Sequence, residues 1–195
     1  MAITKLVSDS LGAGVGGNLV KLTSSTDVSG ASSFSIDGFF TSSYDIYELH
    51  IYDIHLDTTI SNTLRCRVRS SNADLTTSIY EYSGYSSRRG TTNSLDGAGN
   101  VADDAFKFND WNRPNDDTSN RTLSGYVRIH NPLSTTFDKN FLFEFQSRHE
   151  SVAYYVSEQY GGTVVTTNAL SGITFYTNNG ANFDAGQYIL YGVTK

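Results

Sequence analysis

Residues 44–56 (YDIYELHIYDIHL) place apolar and aromatic side chains at a spacing of two, with no signal that would start or end a helix. In a strand, this spacing divides the side chains between two faces. One face carries Ile46, Glu48, His50, Tyr52, Ile54 and Leu56, and the other carries Asp45, Tyr47, Leu49, Ile51, Asp53 and His55. Because both faces are mostly apolar or aromatic, we predict a central strand of a packed β-protein, covered on two sides along much of its length.

Short runs with similar alternation recur to the end of the chain, separated by turns rich in Gly, Asn, Asp and Ser. We predict strands at 18–24, 33–39, 44–56, 63–70, 78–83, 105–108, 122–130, 140–148, 152–157, 163–168, 172–177 and 186–193. No amphipathic helix longer than two turns interrupts them. This order predicts an all-β fold, an antiparallel β-sandwich of the jelly-roll type.

The segment 140–148 (NFLFEFQSR) shows the alternation most clearly. Three phenylalanines, Phe141, Phe143 and Phe145, alternate with aliphatic or polar residues, namely Leu142, Glu144, Gln146 and Arg148. We predict that the three rings enter the core from this one strand, where each buries a large apolar area.

The length of 195 residues suits a single β-sandwich domain, which we place at 18–195. Residues 1–17 contain four glycines among small and aliphatic residues, at Gly12, Gly14, Gly16 and Gly17. Such a segment is too flexible to hold a shape alone and too apolar for an ordinary solvated tail. We predict a flexible N-terminal arm that docks onto another protein; the alternative is a first strand within the same molecule.

Composition narrows the classes of partner. Cys66 is the only cysteine, so no intrachain disulfide forms and we expect folding in the cytoplasm. The sequence lacks a signal peptide and any apolar run near 18 residues, so we expect no export and no membrane insertion. The net charge of -6 argues against binding nucleic acid, which requires a basic field. Charged residues are only 17% of the chain, and such a polar, uncharged surface favours assembly or glycan contact.

Three arginines alternate with apolar residues in TLRCRVRS (63–70). Leu64, Cys66 and Val68 are predicted to face the core, and Arg65, Arg67 and Arg69 to face water. Two interpretations of the arginine face stay open. The arginines contact acidic side chains of another subunit or an anionic glycan, or they pair with Asp and Glu across their own sheet.

Residues 84–120 are rich in Gly, Asn, Asp, Ser and Arg, and we predict a long irregular segment that acts as a specificity loop. Tyr80, Tyr82, Tyr85 and Trp111 are candidates for a sugar-stacking or protein-contact patch, with Arg88 and Arg89 beside them. The alternative is that part of these rings belongs to the core.

The sequence carries no enzyme signature, neither G-x-S-x-G nor H-E-x-x-H. The four histidines, His50, His55, His130 and His149, lack zinc-site spacing, and His50 and His55 are predicted to lie on opposite faces of their strand. An acidic cluster offers oxygen ligands for calcium but lacks the glycine and glutamate of an EF-hand loop; it comprises Asp103, Asp104, Asp110, Asp116 and Asp117. We therefore expect no catalysis, no cofactor and no metal, and interpret the cluster as turn residues.

The closing run 169–193 (ALSGITFYTNNGANFDAGQYILYGV) predicts a final hairpin that turns at Asn178, Asn179 and Gly180. With YDIYELHIYDI, LRCRVRS and GYVRIHNP (125–132), and above all with the closing Leu190-Tyr191-Gly192, the chain resembles small jelly-roll virion proteins of tailed phages from marine and other aquatic bacteria. The resemblance extends over nearly the whole chain from Asn18. The opening MAITKL also resembles the starts of phage tail and head appendage proteins.

The resemblance implies a structural protein on the virion exterior, usually a trimer, with no catalytic residues. The chain lacks a fibrous shaft or heptad run, so its length suits a short appendage. We predict a virion protein, made in the host cytoplasm, that serves as a tail-fibre or receptor-contact module or as a head decoration protein. We expect a homotrimer that attaches to another virion protein through residues 1–17 and contacts a host surface glycan. The alternative is a free carbohydrate-binding module.

Overall fold

The computed structural model describes residues 18–56, 63–89, 93–108, 121–148 and 155–194. Thirteen strands form in these ranges: β1 Leu19–Ser25, β2 Ser33–Asp37, β3 Ile46–Leu56, β4 Leu64–Ser70, β5 Ala73–Asp74, β6 Tyr80–Arg89, β7 Asn93–Asp103, β8 Phe106–Lys107, β9 Leu123–His130, β10 Lys139–Arg148, β11 Tyr155–Val164, β12 Gly172–Thr177 and β13 Phe183–Val193. The described ranges contain no helix, and hence none able to cross a membrane. The predicted arm at 1–17 and Trp111 lie outside the described residues.

The strands form two antiparallel sheets. The larger has eight strands in the order β1-β13-β3-β9-β10-β11-β6-β7, and the smaller has the order β2-β12-β4-β5 with β8 also paired to β4. The predicted all-β, antiparallel sandwich is confirmed, while its jelly-roll type stays a prediction. As predicted, β3 is a central strand, since it lies between β13 and β9. The predicted coverage on two sides is wrong for 46–52, where one face is buried and the other is only half-buried.

The core lies between the two sheets. Phe34 on β2 meets Phe183 and Tyr188 on β13, with ring centroids 5.1 and 5.8 Å apart. Cys66 is fully buried on β4, as predicted, and burial raises the pKa of its thiol. A free thiol in such surroundings behaves as a small apolar side chain.

The phenylalanine strand forms as predicted. Phe141, Phe143 and Phe145 all lie in the core, and Phe143 is completely buried. Its ring contacts Phe106 and Phe108, with centroids 4.9 and 5.0 Å apart. The side chains between them, Leu142, Glu144, Gln146 and Arg148, therefore face away from the smaller sheet.

A β-bulge in β3 overturns part of the predicted alternation. Asp53 adopts a φ of 52°, and the pairing with β9 shifts between Ile51 and Ile54. The extra residue brings Ile54 and Leu56 to the buried face of Tyr47, Leu49 and Ile51. The predicted grouping of Ile54 and Leu56 with His50 is therefore wrong. His55 returns to the side of the strand that carries His50, so the prediction that the two histidines lie on opposite faces is also wrong.

The predicted irregular segment at 84–120 contains a long hairpin instead. Strands β6 and β7 pair from Tyr80 with Asp103 to Arg89 with Asn93, and β6 also pairs with β11 along its whole length. Their Ser, Gly and Asp residues have low intrinsic strand preference, but pairing with an ordered neighbour overrides that preference. The prediction of an irregular segment is therefore wrong for 84–89 and 93–103, while a role of this segment in specificity stays a prediction.

Two glycines lie inside β11, in the gap between two predicted strands. Within the described residues, β11 joins the two predicted strands 152–157 and 163–168, since it runs from Tyr155 through Gly161 and Gly162 and ends at Val164. A Cβ at Gly162 would lie 2.5 Å from Cε1 of Phe106. Glycine at this position therefore makes room for a core ring rather than bending the chain.

The predicted closing hairpin does not form. Strand β12 pairs with β2 and β4 in the smaller sheet, whereas β13 pairs with β1 and β3 in the larger sheet. The turn at Asn178, Asn179 and Gly180 occurs, with a φ of 79° at Gly180, but it carries the chain from one sheet to the other. Sequence alternation identifies the two strands without specifying their partners.

Candidate functional site

The face of the larger sheet that points away from the smaller sheet is called here the outer face. One row of register partners crosses seven of its strands: Ile189, His50, Tyr126, Glu144, Gln159, Tyr85 and Gly97. Among the described residues, no second layer covers this face. Polar and aromatic side chains thus form a broad surface on a rigid sheet.

Three tyrosine hydroxyls on the outer face donate hydrogen bonds to side-chain oxygens of neighbouring strands. Tyr126 donates to Oε2 of Glu144 at 2.9 Å, and Tyr155 donates to Oε1 of Gln146 at 2.9 Å. Tyr85 donates to Oε1 of Gln159 at 2.6 Å. Burial, together with the hydrogen bond to Glu144, raises the pKa of Tyr126. These bonds fix the orientation of the carboxylate and the two amides.

His50 lies at the centre of an aromatic group that we call the histidine cluster. Its ring lies 6.2 Å from Tyr52, 6.0 Å from Tyr126 and 5.4 Å from Tyr191, measured between centroids. Nε2 of His50 is 3.4 Å from Oε2 of Glu48. The cluster therefore combines flat rings with one carboxylate.

Glu48 is also held by Arg128, whose Nε donates to Oε1 at 3.0 Å. Partial burial opposes ionisation of the Glu48 carboxyl, but the hydrogen bonds from Arg128 and His50 outweigh it and lower its pKa. The ion pair is thus a fixed feature of the outer face at neutral pH.

A groove, the polar groove, lies beside this cluster. It has a volume of about 280 Å³ and is lined by Gly125, Tyr126, Glu144, Phe145, Gln146, Tyr155 and Ser157. Most of these side chains carry hydrogen-bonding groups. Such a lining suits a ligand rich in hydroxyl groups.

The predicted aromatic patch does not form as one surface. Tyr80 is fully buried, and its hydroxyl bonds to the backbone of Leu75 and Val68. Tyr82 also faces inward, where it packs on Phe106 and its hydroxyl donates to Asp103 at 3.3 Å. Burial, with the Asp103 carboxylate, raises the pKa of Tyr82 to about 12. Of the three predicted tyrosines, only Tyr85 lies on the outer face. Successive side chains of a strand point to opposite faces, and Tyr85 is an odd number of residues from both Tyr80 and Tyr82.

Arg88 and Arg89 point to opposite sides of β6. Arg88 forms an ion pair with Asp96, with N–O separation of 2.6 Å. Arg89 is exposed on the outer face, where the register places it beside Tyr155, and Tyr155 in turn lies beside Arg148. We call Arg148, Tyr155 and Arg89 the arginine–tyrosine row.

The arginines of β4 lie on the outside of the smaller sheet. Arg69 pairs with Asp37 and Asp74, each at 2.6 Å. Arg67 pairs with Asp104 at 2.6 Å and lies 4.6 Å above the ring of Tyr176. These two arginines thus bind acidic residues of their own chain, the second of the two predicted interpretations. A contact between subunits by Arg65, Arg67 and Arg69 stays a prediction.

In the described part of the acidic cluster, basic side chains pair with the carboxylates. Lys107 contacts both Asp103 and Asp104, and its hydrogen bond is the main cause that lowers the pKa of Asp104. Over the described ranges, no group of three or more His, Cys, Asp or Glu side chains is arranged to hold a metal. Asp110, Asp116 and Asp117 lie outside the described residues.

Comparisons with protein-family models, with curated proteins and with solved structures found no match. The fold and the surface define the chain as an antiparallel β-sandwich with a tyrosine-rich outer face.

The sequence contained a signal for part of this surface. Glu144, Gln146 and Arg148 alternate with the buried phenylalanines, so their outward direction follows from the pattern. The contributions of Tyr126 and Tyr155 were missed, because they depend on the pairing of β9 and β11 with β10.

Proposed function

We propose that the protein is a non-catalytic structural protein on the exterior of a tailed-phage virion. It serves as a tail-fibre or receptor-contact module or as a head decoration protein, it assembles as a homotrimer, and residues 1–17 attach it to another virion protein. The support is the resemblance in strand order and in the closing Leu190-Tyr191-Gly192, together with one structural observation. That observation is the outer face, whose flat rings and oriented polar groups suit contact with another surface.

The trimer contact is assigned to the histidine cluster. Tyr52, Tyr126, Tyr191 and Ile189 are half-buried on the β13-β3-β9 part of the outer face. Protein interfaces are enriched in tyrosine and arginine and depleted of lysine and glutamate at their centres. The polar groove borders this contact at Tyr126, and its other hydrogen-bonding side chains lie on β10 and β11. With the arginine–tyrosine row, they form the part of the outer face that this arrangement leaves open for host contact.

Mass spectrometry of gradient-purified particles of the encoding phage tests the proposal. We expect the protein in the particles at a copy number that is a multiple of three. Its absence from purified particles would contradict the virion role. Mass photometry of the free protein at micromolar concentration tests the trimer separately; a stable monomer would remove it.

A free carbohydrate-binding module is the second candidate, and the polar groove favours it. A glycan-binding protein that is released from the cell and absent from particles would support this candidate over the first. A glycan array without hits would count against it.

A further inference from the structure

Among the described residues, the two arginines of the arginine–tyrosine row have no ion-pair partner. Tyr155 is the register partner of both Arg148 and Arg89, so the Cα atoms of the two arginines are about 10 Å apart with the tyrosine between them. Within the described ranges, neither arginine forms an ion pair. Four other arginines do pair with carboxylates: Arg67, Arg69, Arg88 and Arg128. Two guanidinium groups that lack a carboxylate partner in the described part of the chain are unusual in a protein with a net charge of -6.

Tyr155 provides a flat apolar surface between these charges. Its side chain is large and 52% exposed. The hydrogen bond from its hydroxyl to Gln146 fixes the position of the ring, and about half of the side chain stays exposed. An exposed aromatic side chain of this kind packs well against the C–H face of a pyranose.

The polar groove continues from Tyr155 with unused hydrogen-bonding groups. As far as the structure describes the chain, Nε2 of Gln146, Oγ of Ser157 and Oε1 of Glu144 have no hydrogen-bond partner. The amide nitrogen of Gln146 donates hydrogen bonds, the hydroxyl of Ser157 donates and accepts them, and the carboxylate oxygen of Glu144 accepts them. The three groups lie on adjacent strands β10 and β11, within reach of one sugar ring and its neighbour.

We propose that the arginine–tyrosine row and the polar groove bind an acidic saccharide of the host surface. This inference rests on the proposed role in host contact. The sugar carboxylate lies between Arg148 and Arg89, where guanidinium groups bind carboxylates with paired hydrogen bonds. The pyranose ring stacks on Tyr155, and hydroxyl groups bond to Gln146 and Ser157. Glu144 accepts a further hydroxyl.

The charge pattern selects among anionic ligands. Glu144 forms no ion pair with a described residue, so its negative charge repels a second anionic group at that end of the groove. A ligand with one carboxylate attached to neutral sugars fits both ends. A polyphosphate or another evenly charged strand fits only the arginine end.

The test uses the full chain and a disaccharide of glucuronic acid and a neutral hexose. The matched ligand is the same disaccharide with its carboxyl reduced to a primary alcohol. Titration by NMR is expected to show binding of the acid and about tenfold weaker binding of the reduced form, as loss of a charge-assisted hydrogen bond implies. Arg148→Gln, Arg89→Gln and Tyr155→Ala are each expected to weaken binding of the acid by a similar factor.

Lys21→Gln is the control for charge, because it removes one exposed positive charge from β1 at the opposite edge of the same sheet. It should leave binding unchanged. Circular dichroism verifies folding of each variant, and the two arginine variants test the site independently if Tyr155→Ala does not fold.

The proposal is overturned if the acidic disaccharide does not bind, if the reduced form binds equally, if Lys21→Gln weakens binding as much, or if inorganic polyphosphate binds more tightly. If the protein is present in particles but does not bind the acidic disaccharide, only the proposal of saccharide binding is rejected. Absence from particles with saccharide binding intact would instead remove the virion role.

Discussion

The backbone N–H of Val68 on the smaller sheet donates a hydrogen bond of 3.0 Å to the hydroxyl of Tyr80 on the larger sheet. The same hydroxyl donates to the carbonyl of Leu75 at 2.6 Å. A single buried side chain therefore joins the two layers through polar contacts inside an apolar core. Burial also raises the pKa of Tyr80, so its hydroxyl keeps its proton.

Tyr80→Phe is expected to destabilise the protein by about 1–3 kcal/mol, because it leaves the Val68 N–H and the Leu75 carbonyl without this partner. The free energy of unfolding in urea measures the effect. Tyr85→Phe is the matched control, since it removes a hydroxyl bonded to Gln159 on the exposed outer face. Equal losses in the two variants would contradict the role assigned to Tyr80.

Phe143→Ala is expected to cost about 3–5 kcal/mol, because it removes a fully buried ring and leaves a cavity. Leu142→Ala, at the next residue of β10, removes a side chain that is 37% exposed and should cost much less. Comparison of the two denaturant midpoints tests which face of β10 is buried. An unchanged midpoint in Phe143→Ala would show that the register is wrong.

Adjacent glycines in β11 make a second matched pair. Gly162→Ala places a Cβ 2.5 Å from the Phe106 ring, whereas a Cβ at Gly161 meets no heavy atom within 4 Å. Gly162→Ala is expected to destabilise the protein by about 1–3 kcal/mol through overpacking. Gly161→Ala should be neutral or slightly stabilising. Thermal unfolding of the two variants distinguishes them, and the reverse order would refute the packing described for Phe106.

The Glu48 carboxyl contributes to stability in a pH-dependent way, because its pKa is lowered in the folded state. The contribution is complete above the pKa of the carboxyl in the unfolded chain and is lost as the pH falls through the lowered value. Glu48→Gln should therefore reduce the free energy of unfolding at pH 7 and reduce it less at pH 3. Glu81→Gln, at an exposed position of β6, is the control and should change it little at either pH. A loss of equal size at both pH values for Glu48→Gln would contradict the ion pair.

The sequence predicted side-chain directions correctly where one face of a strand is buried and the other is exposed to solvent. Leu64, Cys66 and Val68 alternate with arginines, and the structure buries the first three residues as predicted. The bulge at Asp53 was not foreseen because a single residue with positive φ leaves no change in the alternation of residue types. In β6 and β11, Ser and Gly residues weaken the strand pattern in the sequence, although pairing with neighbouring strands stabilises both strands.

The candidate surface could be predicted in part for the same reason. The outward direction of Glu144, Gln146 and Arg148 follows from the buried phenylalanines between them. The position of Tyr155 between Arg148 and Arg89 does not, because it depends on the order β10-β11-β6. Strand order is set by packing between residues far apart in the chain, which alternation does not encode.

Labelling of intact phage particles with Fab fragments raised against the folded protein tests the central claim most directly. The account predicts discrete label on the outside of unbroken particles, at the tail or on the head, in electron micrographs. Label that appears only after the particles are broken, or no label on particles at all, would contradict it.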